Sequence, residues 1–202
     1  MTHPESADIP TIPMTLAELA TVAKNTGCNF DGSRLLLPFF GTYHTLTTTG
    51  IQGPHGSRIS NKIEKILTDY VHNYPVRPPP TGRLFSYREL KGAGPLVVSF
   101  ANNTLKTITT TFAGKLAELV SAARSLGANP RPDIPGYDLS VKFMALPGIP
   151  LTLQFNDAEA PFPAQSSLLL DDSIETYLDM QAIFTLGTFL CGRLVASCYN
   201  CR

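Results

Sequence analysis

The sequence has no tryptophan, few charged residues and no excess of either charge. Its 16 Lys and Arg balance its 16 Asp and Glu, and no two basic residues are adjacent. Nucleic acid is therefore disfavoured as the main partner, because binding its phosphates requires clustered positive charge. Charged residues make up 16% and hydrophobic ones 43%, a balance that excludes an intrinsically disordered chain. The 202 residues suffice for one domain with a core that needs no disulfide or metal.

Long apolar runs are missing as well. The longest are a few residues, such as 168–170, whereas a membrane-spanning helix needs about 18 or more. Residues 1–13 contain Glu5, Asp8 and three prolines in place of the basic head and apolar stretch of an export signal. We therefore expect a cytoplasmic protein without a membrane partner, with a flexible segment over residues 1–13 and a single domain over residues 14–202.

Apolar residues recur at helical spacing in four parts of the chain. The clearest is Ser57–Tyr74, where isoleucines, leucines and tyrosines repeat every three or four residues. A longer helix is predicted for Asn103–Leu126, although β-branched threonines weaken its first half. Thr15 is the predicted N-cap of a first helix that ends at Gly27, and Asp179 is the predicted cap of a C-terminal helix.

Short apolar or alternating segments predict the strands. They are Arg34–Phe40, Tyr43–Thr49, Tyr137–Leu146, Ile149–Phe155 and Ser166–Leu170. The third and fourth are expected to form an antiparallel hairpin across a Pro-Gly turn. Because strands and helices follow one another without regular alternation, the predicted fold class is α+β, with an antiparallel sheet packed against three or four helices.

Two cysteines near the end of the sequence, Cys198 and Cys201, have the spacing of a metal-binding or redox-active pair. A zinc or iron site needs two further ligands, which a homodimer would supply with two cysteines from each chain. The alternative is that the cysteines are structural, with Cys191 a small buried apolar residue of the last helix. In the cytoplasm all four thiols of the sequence are expected to be reduced.

His55 lies in a glycine-containing loop, Gly53–Arg58, that precedes the clearest helix. Backbone N–H groups and the helix dipole at such a place favour an anion, with Arg58 assisting. The loop lacks the Gly-Lys-Ser/Thr end of a nucleotide-binding loop. Helix capping and turn formation are the alternative explanation.

Carboxylates cluster in two loops, at Asp157 and Glu159 and at Asp171 and Asp172. Loops at strand ends often present acid–base residues, so a small hydrolase or transferase that uses these carboxylates with His55 is one hypothesis. The alternative is that they are ordinary solvated turn residues. The sequence contains no standard nucleophile, zinc-protease or kinase motif that would decide for an enzyme.

Several short segments rich in glycine, proline and phenylalanine occur along the chain. They are Gly27–Gly32 running into Leu37–Gly41, Pro80–Gly82 with Ser86–Leu90, Ala145–Leu151, and Phe162–Ala164 with Leu170–Ile174. In this order they resemble an uncharacterised prokaryotic family, common in anaerobes, that is described as a domain of unknown function and sometimes as a putative iron–sulfur protein. The resemblance covers most of residues 16–195.

The resemblance implies a non-catalytic cofactor-binding or accessory protein linked to anaerobic metal, corrinoid or one-carbon metabolism. Its partner would be a metalloenzyme or a corrinoid protein, and its cofactor a corrinoid or an iron–sulfur cluster. Zinc is the further candidate at the cysteine pair, and another tetrapyrrole is one at the apolar loops described below. The cysteine series of an iron–sulfur module is absent, which leaves Cys198 and Cys201 as the candidate metal ligands.

Two apolar loops would line a pocket for a flat cofactor, with Phe39, Phe40 and Phe162 as its walls. We place His55 with them among the candidate cofactor-binding residues. The alternative role of the phenylalanines is core packing.

Overall fold

In the computed structural model, which describes residues 13–74 and 80–200 with side chains up to residue 198, helices and strands follow one another without regular alternation. The helices are α1 (Leu16–Thr26), α2 (Asn61–Asn73), α3 (Val97–Phe100), α4 (Thr107–Phe112), α5 (Leu116–Ser125) and α6 (Met180–Asn200). The strands are β1 (Asn29–Phe30), β2 (Leu35–Phe39), β3 (Thr42–Thr47), β4 (Gly50–Gln52), β5 (Leu84–Ser86), β6 (Asn129–Pro130), β7 (Leu139–Leu146), β8 (Ile149–Asn156) and β9 (Gln165–Asp171). The expected flexible segment, apart from residue 13, lies outside the described residues.

The strands form two antiparallel sheets. The first has the order β1-β2-β3-β4, and the second has the order β5-β9-β8-β7-β6. The backbone N–H of Phe40 donates a hydrogen bond to the carbonyl of Ala145 at 2.8 Å, which joins the two sheets. The α+β prediction and the hairpin between β7 and β8 are confirmed. The antiparallel strands are divided between two sheets because those before and after residue 80 pair separately.

Helix α1 begins and ends as its sequence predicts. The Thr15 hydroxyl accepts a hydrogen bond from the Glu18 backbone, and the Glu18 carboxylate accepts one from the Thr15 backbone at 2.7 Å. This reciprocal cap satisfies two N–H groups that a helix start leaves unpaired. Gly27 ends the helix with a φ of 72°, a left-handed conformation that costs glycine little.

Helix α2 starts later than predicted. The Ser60 hydroxyl caps it by accepting from the backbone of Ile63, so the helix begins at Asn61 rather than at Ser57. The preceding residues Pro54–Gly56 form a separate 3-10 turn, closed by a hydrogen bond from the Gly53 N–H to the Ser57 carbonyl.

The long helix predicted for Asn103–Leu126 is interrupted twice. A π-helical stretch, Ala101–Lys106, separates α3 from α4, and a turn at Gly114 with a φ of 71° separates α4 from α5. Tertiary contacts support the π-helical stretch, because the Ser166 hydroxyl donates to the Leu105 carbonyl at 3.0 Å. The helical spacing of apolar residues therefore continues through the segment, whereas the α-helical backbone is interrupted.

Helix α6 lies in the core and approaches residues of both sheets. Its buried residues are Ala182, Ile183, Leu186, Leu190, Cys191, Leu194 and Cys198. On the side of the first sheet, the Phe189 ring packs against Phe39, with centroids 5.0 Å apart. On the other side, Gly187 approaches Phe100 and Leu168 of β9.

Helix α6 also corrects the expectation that no segment is suited to a membrane. Among the described helices, α6 alone is long and apolar enough to span one, over Met180–Cys198. The segment contains no long uninterrupted apolar run because Thr185, Thr188 and Arg193 divide it. Within the domain 44% of this window is buried, and the core position of α6 accounts for its composition.

Candidate functional site

The predicted aromatic pocket is not formed as expected. Phe39 and Phe40 are 1% and 4% exposed and pack against Phe189, with ring centroids 5.0 and 5.4 Å apart. Phe162 is 71% exposed in the loop between β8 and β9, and no ring contact within the described chain joins it to the other two. Core packing is therefore the role that the structure gives to Phe39 and Phe40.

His55 is exposed in the turn before α2 and has a φ of 54°. Since α2 begins only at Asn61 and is capped by Ser60, the loop does not lead directly into a helix N-terminus. The anion site at His55 therefore lacks the helix terminus on which its argument depended, and it stays a prediction. The turn-formation alternative describes this segment.

The loop carboxylates serve the local structure. Asp171 is 1% exposed and accepts hydrogen bonds from the backbones of Thr81, Gly82 and Ser173 at 3.2, 2.8 and 3.0 Å. Burial alone would raise the pKa of the Asp171 carboxyl, but the hydrogen bonds from Ser173, Gly82 and Thr81 outweigh it and hold the pKa below its ordinary value.

The neighbouring acids have similar roles. Asp172 accepts a hydrogen bond from the Thr81 hydroxyl, and Asp157 accepts one from the Gly114 backbone at 2.6 Å. Glu159 pairs with Phe162 across the tight turn of the β8–β9 loop. No hydrogen bond or ion pair within residues 13–74 and 80–200 links these carboxylates to His55.

The metal prediction at Cys198 and Cys201 stays a prediction. Cys198 is 7% exposed on α6, and Cys201 lies outside the described residues. Cys191 donates its thiol hydrogen to the Thr104 carbonyl, and burial raises the pKa of this thiol to about 11. In the part of the chain that the structure describes, no three His, Cys, Asp or Glu residues are grouped to hold a metal ion.

A cleft of about 430 Å³ lies on the outer face of the first sheet. Asn29 pairs with Leu36, and Pro38 pairs with Tyr43, so these four side chains share one face. The alternate residues of β2 point inward and are buried. We call this space the Cys28 cleft, since Thr26, Gly27 and Cys28 form one wall and Pro147 forms another.

Local structure positions the Cys28 cleft. The left-handed Gly27 turns the chain out of α1, and the Cys28 N–H donates to the Thr26 hydroxyl at 3.3 Å. This places the half-buried Cys28 beside the sheet. Pro147 is held from behind, because the Tyr70 hydroxyl donates to its carbonyl at 2.7 Å.

Three of the sequence segments on which the family resemblance is based meet in this cleft. They are Gly27–Gly32, Leu37–Gly41 and Ala145–Leu151, and each contributes lining residues. Sequence reasoning missed the cleft because its walls are far apart in the chain. The available signal was Cys28 itself, the one cysteine that directly follows a helix-ending glycine.

A family model described as "Domain of unknown function (DUF3786)" matches residues 18–193. The chain belongs to this family. The DUF3786 match begins within α1 and ends within α6, so it includes both sheets and the Cys28 cleft. The expected membership of a domain-of-unknown-function family is confirmed, whereas the prokaryotic, anaerobic and iron–sulfur associations stay predictions. No curated protein and no solved structure matched the chain significantly.

Proposed function

We propose that this protein is a non-catalytic accessory protein that binds a metal-containing or large apolar cofactor in the Cys28 cleft and passes it to a partner metalloenzyme or corrinoid protein. The proposal is based on which residues line the cleft. One thiol stands beside Leu36, Pro38, Tyr43 and Pro147. Small-molecule sites are typically concave and mostly apolar, with few polar groups that fix orientation.

The ligands present decide which cofactor suits the cleft. Thiolate is a soft ligand, but a protein-bound zinc ion needs about four ligands and an iron–sulfur cluster about four thiolates. Cys28 belongs to no such group among the described residues. The cleft therefore favours a cofactor that brings most of its own metal ligands, such as a corrinoid or other tetrapyrrole, and takes at most one from the protein.

Two further observations support an accessory role. The cleft opens to solvent at Tyr43, which is 62% exposed, so a cofactor bound there would stay within reach of a second protein. The loop carboxylates that would serve an enzyme instead accept structural hydrogen bonds, as Asp157 and Asp171 do. General acid–base catalysis needs a group that is free to reach the substrate.

The test is titration of the purified protein with hydroxocobalamin and with haemin, followed by absorption spectroscopy. We expect one equivalent of one of these cofactors to bind with a shifted spectrum. Cys28→Ser should abolish the spectral shift, and Tyr43→Ala should weaken binding by about tenfold through loss of an aromatic wall. Tyr137→Ala removes an exposed tyrosine that does not line the cleft and should change neither result.

Two outcomes would refute the proposal. One is that neither cofactor binds at about 100 μM. A Kd of that size corresponds to a binding free energy of only about −5 kcal/mol. The other is binding that Cys28→Ser and Tyr43→Ala leave unchanged. Thermal unfolding of each variant is recorded beside the titration, so that loss of the fold is distinguished from loss of the site.

A further inference from the structure

A second groove lies where α5 ends and β7 begins, apart from the Cys28 cleft. Its volume is about 420 Å³, within the range of roughly 300–1,000 Å³ typical of small-molecule sites. Val120 of α5, Ile134 of the connecting segment, and Leu139 and Val141 of β7 form apolar walls. We call this space the α5–β7 groove.

The groove is built from restrained backbone. Its connecting segment contains Pro130, Pro132 and Pro135, whose rings fix the backbone angle φ. The Arg131 N–H donates to the Ser140 carbonyl at 2.9 Å, which ties this segment to β7. A ligand would therefore meet a preformed surface, and little ordering would oppose binding.

One positive charge in the groove has no partner among the residues that the structure describes. The Arg131 guanidinium is held by Asp133, with Nε 2.8 Å from Oδ1 and Nη2 2.7 Å from Oδ2. Asp138 accepts a hydrogen bond from the Asp157 backbone at 2.7 Å. Arg124, by contrast, is exposed and its side chain makes no hydrogen bond or ion pair with any described residue.

An aromatic ring completes the lining of the groove. The Tyr137 ring, 42% exposed, lines the same groove.

We propose that the α5–β7 groove binds a small carboxylic acid with an apolar body. Its carboxylate pairs with the Arg124 guanidinium, whose planar set of N–H donors matches a carboxylate. Its body lies against Val120, Ile134 and Leu139. Arg124 is the one lining cation without a carboxylate partner among the described residues, and the Asp138 carboxylate also lines the groove, so a singly charged carboxylate suits it better than a dianionic phosphate.

The test is calorimetric titration of the full chain with benzoate and hexanoate, each compared with its neutral amide. We expect each acid to bind at least about tenfold more tightly than its amide. Arg124→Gln should remove this preference. Arg88→Gln makes the same change of charge at an exposed arginine outside the groove and should leave the preference intact.

Three results would overturn the proposal: no binding of either acid at about 10 mM, equal affinity for acid and amide, or an unchanged acid preference in Arg124→Gln. Cys28→Ser is the control that separates this groove from the Cys28 cleft. Position 28 lines the Cys28 cleft and not the α5–β7 groove, so this substitution should not affect benzoate binding. The two proposals are therefore tested independently.

Discussion

Alanine at position 187 should destabilise the protein, although glycine to alanine usually strengthens a helix. A Cβ at Gly187 of α6 would lie 2.4 Å from Cε2 and 2.7 Å from Cζ of Phe100. The Phe100 ring has little room to withdraw, since it is 2% exposed and stacks on Tyr87 with centroids 4.1 Å apart. We expect Gly187→Ala to gain about 1 kcal/mol in helix propensity and to lose about 1–3 kcal/mol through overpacking, a net loss of up to about 2 kcal/mol.

The same helix provides the control. Gly192 is exposed, and a Cβ there would meet nothing within 4 Å. Gly192→Ala should therefore raise the free energy of unfolding by about 0.5–1 kcal/mol. Both variants change the same atoms in the same helix, so the difference between them isolates the clash with Phe100.

Urea unfolding followed by circular dichroism measures both changes, with the slope of the transition as a check on the denatured state. Phe100→Leu in the Gly187→Ala background should recover part of the loss, which a double-mutant cycle quantifies. If Gly187→Ala and Gly192→Ala stabilise the protein equally, the close packing of α6 against Phe100 is wrong.

Three further predictions concern buried or paired groups. Thr152→Val should raise the free energy of unfolding by about 1 kcal/mol, because it replaces a buried hydroxyl that has no partner in the described chain; a loss of stability in urea would contradict this. The hydrogen bond from His72 is the main cause that lowers the pKa of Glu18 from 4.5 to about 2. The stability that the ionised Glu18 contributes is therefore complete above the unfolded pKa of about 4.5 and is lost as the pH falls towards 2. Glu18→Gln should flatten that part of the stability profile, and an unaltered profile would argue against the pairing. Since burial raises the pKa of the Cys191 thiol to about 11, iodoacetamide should modify Cys28 but not Cys191 in the native protein at about pH 8, as peptide mass mapping would report.

Elements whose signals are local could be predicted from the sequence. The cap at Thr15 and the stop at Gly27 fix α1, because both depend on residues within one turn of the helix end. The hairpin turn at Gly148, with a φ of 79°, likewise follows from adjacent residues.

Elements that depend on distant contacts could not be predicted. Strands β4 and β5 have three residues each and exist only through pairing, β5 with the distant β9. The π-helical stretch depends on Ser166, some 60 residues further along the chain. The Cys28 cleft likewise combines residues near positions 28, 40 and 147, which no local period connects.

The central position of α6 has a consequence for the chain during synthesis. All nine described strands emerge from the ribosome before residues 180–200 do. Until α6 follows, Phe39 lacks the cover of Phe189, and Leu168 lacks the helix that packs over it. A nascent chain halted before residue 180 therefore exposes apolar residues of both sheets, the kind of surface that chaperones bind and that aggregates when they do not.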